Sequence, residues 1–407
     1  MGNDLPPPAE VARFIKENTT IDRIKIFDVN PDILRAFANT EILVTVTVPD
    51  GEIPRLANDS VYARQWVAEN IKPFYPATKI NIISVGSEVI HWGTTEMKKG
   101  LVPAMRRLYR ALIYTGIKDI KVSSAHSLGI MNASSSDLSP SQAQFRDEWD
   151  VTGILSPMLN FLNQTKGPFL VNPYPYFGYN RQSADLALFR PNKGVFDRHT
   201  NKTYYNMFDM LLDSVFAAMC RLGYPDVEIV AAETGWPSAG EEFEPQCTVA
   251  NARSYNAGLM RRNRNRIETY IFALFNENLK TGSKAERNFG LFRPDFSPVY
   301  SIGIMKGETD PSLTPAHPQP WRRSKFCVPK RSANNEQLIE NINYACAHVD
   351  CRPIQPGGAC FHPTTARAHA AYAMNTFYQT KGRKPFQCNF TNTARFTHAD
   401  PSAHCKK

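Results

Sequence analysis

The stretch V-A-A-E-T-G-W-P-S-A-G at residues 230–240 closes a short apolar run, Ile229 to Ala232, on a single carboxylate, Glu233. Gly235 and Pro237 follow at once, so the strand ends there. Burying an unpaired carboxylate is costly, and a lone Glu at a strand end is ordinarily a solvent-facing terminus. A second stretch repeats the design: Ile82-Ile83-Ser84-Val85-Gly86-Ser87-Glu88 also delivers one carboxylate to the end of an apolar run. Two such ends in one chain call for a common scaffold.

The segments around them supply it. Ile21–Val29, Glu41–Val48, Ile80–Glu88, Ile120–Ala125, Pro168–Tyr176, Glu228–Glu233 and Ile267–Phe275 read as strands. Helical periodicity separates them, over Asp32–Phe37, Tyr62–Ile71, Leu101–Tyr114, Val151–Leu162, Tyr204–Arg221 and Asn251–Arg261, after a Pro-opened helix at Leu5–Thr19. Strictly alternating strands and helices predict an α/β fold with a parallel barrel, whose strands all open on one face. Seven strands are one short of a closed (β/α)8 TIM barrel, so a gap is expected between the Ile21 and Ile267 strands. The start M-G-N-D-L-P-P-P falls where a first strand is due, and either that strand is missing from the sequence or the barrel is open.

Three regions are expected: a barrel over 1–306, a Pro-rich linker over 307–325, and a small cysteine-rich domain over 326–407 with helices at Asn335–Tyr344 and Thr365–Tyr378. The composition is that of an ordinary globular protein, 42% hydrophobic, with no apolar run long enough for a membrane span. The net charge of +9 is scattered rather than striped, which argues against nucleic acid as a partner. Six of the eight cysteines lie between Cys327 and Cys405, a disulfide framework that implies an extracellular product. Sequons at Asn18, Asn58, Asn132, Asn163, Asn201 and Asn389 agree with secretion, although the chain opens without a signal-peptide pattern and ends without an apolar tail for a lipid anchor. Cys220 and Cys247 are either a bridge or two thiols.

Glu88 and Glu233 come from non-adjacent strands that open on the same face, the arrangement a pair of carboxyl groups needs to cleave a glycosidic bond. Asn172, Tyr174, Tyr176 and Phe177 end another strand, where aromatic faces can stack on sugar rings and an amide can bond hydroxyls. Trp236 and Phe275 are candidates of the same kind. Glu277, Lys280 and Glu286 follow the last strand, either as a charge network at the site or as surface ion pairs. Nothing pairs with His126 in sequence. The Cys346/Cys351 spacing has no second pair to complete a metal site, and no Gly-rich phosphate loop is present, so neither metal nor cofactor is expected.

V-G-S-E-V (85–89), V-N-P-Y-P-Y-F (171–177), E-T-G-W-P-S-A-G (233–240), E-T-Y-I-F-A-L-F-N-E-N (268–278) and F-G-L-F-R-P-D (289–295) together resemble plant glycoside hydrolase family 17. The resemblance implies a (β/α)8 barrel acting as a retaining endo-1,3-β-glucanase. Glu88 is then the acid/base, Glu233 the nucleophile, and Glu277, Lys280 and Glu286 accessory site residues. C-V-P-K (327–330), N-Y-A-C (343–346), I-Q-P-G-G-A-C-F (354–361) and A-M-N-T-F-Y-Q (373–379) resemble carbohydrate-binding module family 43, a callose-binding domain. That resemblance implies bridges Cys327–Cys388, Cys346–Cys351 and Cys360–Cys405. The family's N-Y-G strand is absent, Ser87 stands where an Asn is usual, and the segment between Asn256 and Ile267 is short. The expected product is a secreted, monomeric endo-hydrolase of 1,3-β-glucan. A non-catalytic callose-binding wall protein and a transglucosylase on the same scaffold are the alternatives.

Overall fold

The structure is a computed structural model of the chain and describes residues 2–132, 139–150, 153–263, 267–308, 326–381, 385–397 and 401. It divides into two compact units, Met1–Ala316 and His317–Lys407.

In the first unit, α1 (Pro8–Asn18), β1 (Arg23–Lys25), α2 (Pro31–Ala36), β2 (Leu43–Val48), α3 (Ile53–Asn58), α4 (Ser60–Asn70) and β3 (Lys79–Ser87) come first. Then follow α5 (Val89–Trp92), α6 (Thr95–Tyr114), β4 (Lys121–Ser127), α7 (Asp147–Asp150), α8 (Leu155–Thr165) and β5 (Phe169–Asn172). The remainder is α9 (Ala184–Ala187), a hairpin of β6 (Val195–Asp197) and β7 (Lys202–Tyr204), α10 (Met207–Arg221), β8 (Ile229–Thr234), α11 (Val249–Asn263) and β9 (Thr269–Ile271). The hairpin and the short helices α3, α5, α7 and α9 are additions to what periodicity shows. At three residues per strand, β6 and β7 are too short to carry an alternation signal.

Seven of these strands form one parallel sheet in the order β1-β2-β3-β4-β5-β8-β9. Side-chain alternation sorts the core into two layers. Ile82, Ala125, Leu170, Val230, Ala232 and Tyr270 form one buried cluster inside the barrel, with Ala125 level with Leu170 and Leu170 level with Val230. Their neighbours Ile83, Val122, Phe169, Val171 and Ile229 turn outward against the helices, where α6 presents Leu101, Met105, Leu108 and Leu112. Two strands are shorter than their apolar runs. β5 ends at Asn172 because Pro173 and Pro175 have no N–H to give a ladder, and β9 ends at Ile271 although the apolar run continues to Phe275.

β1 and β9 are the two ends of the sheet, and among the described residues no backbone ladder joins them. Side chains span the seam instead: Arg23 pairs with Glu268 at 2.9 Å, and Lys25 pairs with Glu233 at 2.6 Å. Glu268 also accepts from the Tyr270 hydroxyl at 2.6 Å, which in turn meets Thr45 of β2 at 2.8 Å. A cavity of about 230 Å³ lies along the seam, lined by Ile24, Phe27, Met260, Ile271, Leu291 and Ile304 among others. The barrel is thus nearly closed with seven strands.

β4 buries His126 completely, with Nε2 3.1 Å from the Met158 sulfur and, among the described residues, no partner on Nδ1. Burial alone pushes its ring down to about 3, so the native ring stays neutral while the unfolded ring takes a proton from about pH 6.5 downward. The unfolded state binds more protons over that window. Stability is therefore full above pH 6.5 and is lost as pH falls toward 3, by about 3–5 kcal/mol in total. Thermal melts of the chain and of His126→Leu from pH 7 to 3.5 measure this. The variant should show the shallower decline, and parallel declines would refute it.

The second unit holds β10 (Phe326–Pro329), α12 (Asn335–Cys346), α13 (Ala366–Thr380) and β11 (Ala394–Thr397), with β10 and β11 antiparallel. Asn334 and Gln337 cap α12 reciprocally. Leu338, Ala370, Met374 and Tyr378 make a small core beside the Cys327–Cys388 bridge, and a Cys346–Cys351 bridge closes the turn after α12. Cys360 is also disulfide-bonded, while its expected partner Cys405 lies outside the described residues. Cys220 and Cys247 are thiols.

Candidate active site

Because the strands are parallel, the last residues of β1, β3, β5 and β8 gather at one mouth of the barrel. β3 makes a sharp exit. Gly86 has φ +69°, and a side chain there would meet Val89 at 2.4 Å and Asp50 at 2.8 Å, so only glycine fits. Glu88 is itself left-handed at φ 57°, a conformation that costs a non-glycine residue energy and here turns its side chain off the strand end. Its backbone N–H donates to the Ala125 carbonyl at 2.8 Å, and the Ser87 N–H donates to Asp50 Oδ1 at 2.9 Å. Burial raises the Asp50 carboxyl, and the Ser87 N–H opposes that rise.

The Glu88 carboxyl group is held by neutral donors on both oxygens. Asn172 Nδ2 donates to Oε1 at 2.7 Å, and Trp92 Nε1 donates to Oε2 at 3.0 Å. Glu233 is held differently. Its Oε1 accepts from the Lys25 ammonium at 2.6 Å, and its Oε2 accepts from the Tyr174 hydroxyl at 3.3 Å. The Lys25 side chain is 2% exposed and that of Glu233 13%, so this ion pair is little screened by water. After Glu233 the chain passes so close to Phe272 that a Cβ on Gly235 would lie 2.1 Å from its carbonyl oxygen.

Asn172 and Tyr174 are two residues apart at one strand end, and each grips one of the two carboxylates. The Tyr174 hydroxyl is pushed well above its ordinary value, first by burial and then by the negative charges of Glu233 and Glu88.

The other expected site residues divide. Glu277, Lys280 and Glu286 do come together, with the Lys280 ammonium 3.0 Å from Glu286 and 4.0 Å from Glu277. Lys280 also lies 4.3 Å over the Phe272 ring, which packs edge-on against Phe27, beneath the Lys25 ammonium at 4.1 Å. That chain of rings connects the cluster to Glu233. Phe177 is 72% exposed beside Tyr174 and Tyr176. Trp236 and Phe275 are not at the mouth. Trp236 is fully buried, donates to the Gln246 carbonyl and packs against Tyr176, Tyr179 and Tyr255, while Phe275 packs on Phe296 behind the sheet. Tyr176 turns the same way, toward Glu244 and Cys247. Ser87 sits beside Glu88, and no bond to its hydroxyl is found among the described residues.

Lys25, Trp92 and Asp50 are the residues that reading the sequence missed. Lys25 left only a faint trace, as a charge set between Ile24 and Ile26 in a strand that also carries Asp22, Arg23 and Asp28. Trp92 left none beyond being an aromatic one helical turn after Glu88.

Comparison with known proteins agrees with this geometry. The model of glycosyl hydrolases family 17 matches residues 1–304, and that of the X8 domain matches residues 325–395. A glucan endo-1,3-beta-glucosidase of Triticum aestivum is 42% identical over 98% of this chain and 91% of its own length. A glucan endo-1,3-beta-D-glucosidase of Olea europaea is 38% identical over 99% and 90%. Among solved structures, CJP38, a beta-1,3-glucanase and allergen of Cryptomeria japonica pollen, superposes with a TM-score of 0.70 at 40% identity, covering 74% of this chain and 96% of that one. With two carboxylates gathered at the mouth of a parallel barrel, and with matches of this extent, the chain belongs to glycosyl hydrolases family 17 and carries an X8 domain C-terminal to its barrel in sequence.

Proposed function

We propose that the chain cleaves internal bonds of 1,3-β-D-glucan with retention of anomeric configuration, Glu233 acting as nucleophile and Glu88 as acid/base. The observation that carries the assignment is the contrast between the two carboxylates, since only Glu233 faces an ammonium. Lys25 holds it as an anion for attack on the anomeric carbon. Glu88 has neutral donors only, so no fixed positive charge opposes its taking up the proton that the glycosidic oxygen accepts. It gives its proton to the departing sugar, then takes one from the water that hydrolyses the glycosyl ester.

The substrate class follows the named relatives, and the exposed Phe177 ring offers a stacking face for a glucosyl unit. Glu277, Lys280 and Glu286 serve as a charged rim that orients Glu233 through the Phe272 and Phe27 rings. One chain supplies every group named here, which supports a monomer. The bridged X8 domain supports secretion and a role in tethering the barrel to glucan. Among the described residues no helix is long and apolar enough to cross a membrane.

Reducing-sugar release from laminarin tests the reading. The chain should release short oligomers that keep the β configuration on first appearance, and Glu88→Gln should lose about 10²–10⁴-fold in rate. Glucan binding without any release would instead mark a binding protein, and products longer than the substrate a transglucosylase.

A further inference from the structure

Trp92 is 73% exposed yet immobilised. One face of its indole lies on the His91 ring, centroids 4.1 Å apart and 21° from parallel. His91 is pinned in turn, with Nδ1 2.8 Å from Ser127 Oγ and its ring against Gly129, where a Cβ would come within 2.6 Å. The indole N–H reaches Glu88 Oε2 at 3.0 Å. A large apolar face is thus presented beside the carboxyl group that delivers the proton, with its ordering cost already met by the fold. Isolated exposed aromatics are common on protein surfaces, but they are not ordinarily stacked on one face and tethered at the edge.

We propose that Trp92 is the stacking platform for the glucosyl unit on the leaving-group side, and that it releases Glu88 when that unit arrives. The inference rests on Glu88 being the acid/base. Indole nitrogen only donates, so its bond to Oε2 is strong while that oxygen is unprotonated and weakens once it carries a proton. Oε1 is engaged by Asn172, which is buried, whereas Trp92 is the exposed donor of the two. A pyranose on the open face of the indole draws the ring toward itself. It thereby frees Oε2 to hold the proton that the glycosidic oxygen accepts, and the carboxylate is left behind as that C–O bond breaks.

Two variants separate the parts. Trp92→Ala loses platform and tether, while Trp92→Phe keeps a ring face and loses the N–H. Both sit on the surface, so folding is checked by circular dichroism and melting. The full chain is assayed on laminarin and on β-laminaribiosyl fluoride, whose leaving group offers no ring to stack and needs little protonation. Trp92→Ala should lose about tenfold more kcat/KM on laminarin than on the fluoride. Trp92→Phe should recover most of that difference, and the high-pH limb of its laminarin profile should move to higher pH, because the N–H that favours the unprotonated carboxyl group is gone. Tyr174, Glu233 and His91, the titratable groups around Glu88, stay in place. Equal losses on both substrates, or an unmoved limb in Trp92→Phe, would overturn the inference while leaving the hydrolase reading intact. If the unaltered chain cleaved neither substrate, that reading would fall and the inference with it.

Discussion

Glu233→Ala is expected to lose laminarin hydrolysis by on the order of 10⁴-fold or more, ~5 kcal/mol of barrier, and to recover turnover when azide is supplied. Removing the side chain leaves a space bordered by the Lys25 ammonium and the Tyr174 hydroxyl, which is a ready seat for a small anion. From there azide attacks the anomeric carbon of β-laminaribiosyl fluoride once, so the product is the α-azide. In Glu88→Ala the nucleophile is intact. Azide then replaces water in the second step, and two inversions give the β-azide. The two variants must therefore yield opposite anomers. The same anomer from both, or rescue of neither, shows that the roles of Glu88 and Glu233 are misassigned.

Reduction should unfold the X8 unit while the barrel stays folded and active. The Cys327–Cys388 bridge spans 61 residues and Cys346–Cys351 spans 5. Loop-closure entropy puts their contributions at about 4 and about 2 kcal/mol respectively. The apolar core beside them consists of two small clusters, one around Leu338, Met374 and Tyr378 and one around Ile354 and Phe377, too little to offset that loss in so small a unit. The barrel's Cys220 and Cys247 are thiols, so a reductant leaves them unchanged. Limited proteolysis of the full chain with and without dithiothreitol reads both halves at once. Cuts should appear after residue 326 only in the reduced sample, and laminarin hydrolysis should persist. A reduced and alkylated tail that still resists protease and still binds insoluble glucan defeats this expectation.

The order of the barrel strands, their shared direction and the two carboxylates were legible before any coordinates. Each rests on a run of β-branched and apolar residues ending in a single charge. What spacing could not resolve was depth. Tyr174, Tyr176 and Trp236 look alike as aromatics at strand ends, yet Tyr174 reaches Glu233 while the other two pack behind it, because Pro173 and Pro175 take the chain off the ladder at Asn172. Phe275 was misplaced for a similar reason. β9 stops at Ile271, and the residues beyond it follow a path that period-two alternation does not describe. Lys25 escaped because its partner is 208 residues away in sequence, and only closing the barrel brings the two together.

The seam between β1 and β9 has a consequence for the working cycle. Of the two ion pairs that span it, Arg23–Glu268 is remote from the chemistry, but Lys25–Glu233 includes the proposed nucleophile. When Glu233 becomes a glycosyl ester its charge disappears, and the Lys25 clasp loses its hold until water restores the carboxylate. On that reading the seam is tied to the working cycle: one of its two ion pairs lets go and re-forms with every bond cut, while Arg23–Glu268 and the Tyr270–Thr45 contact persist.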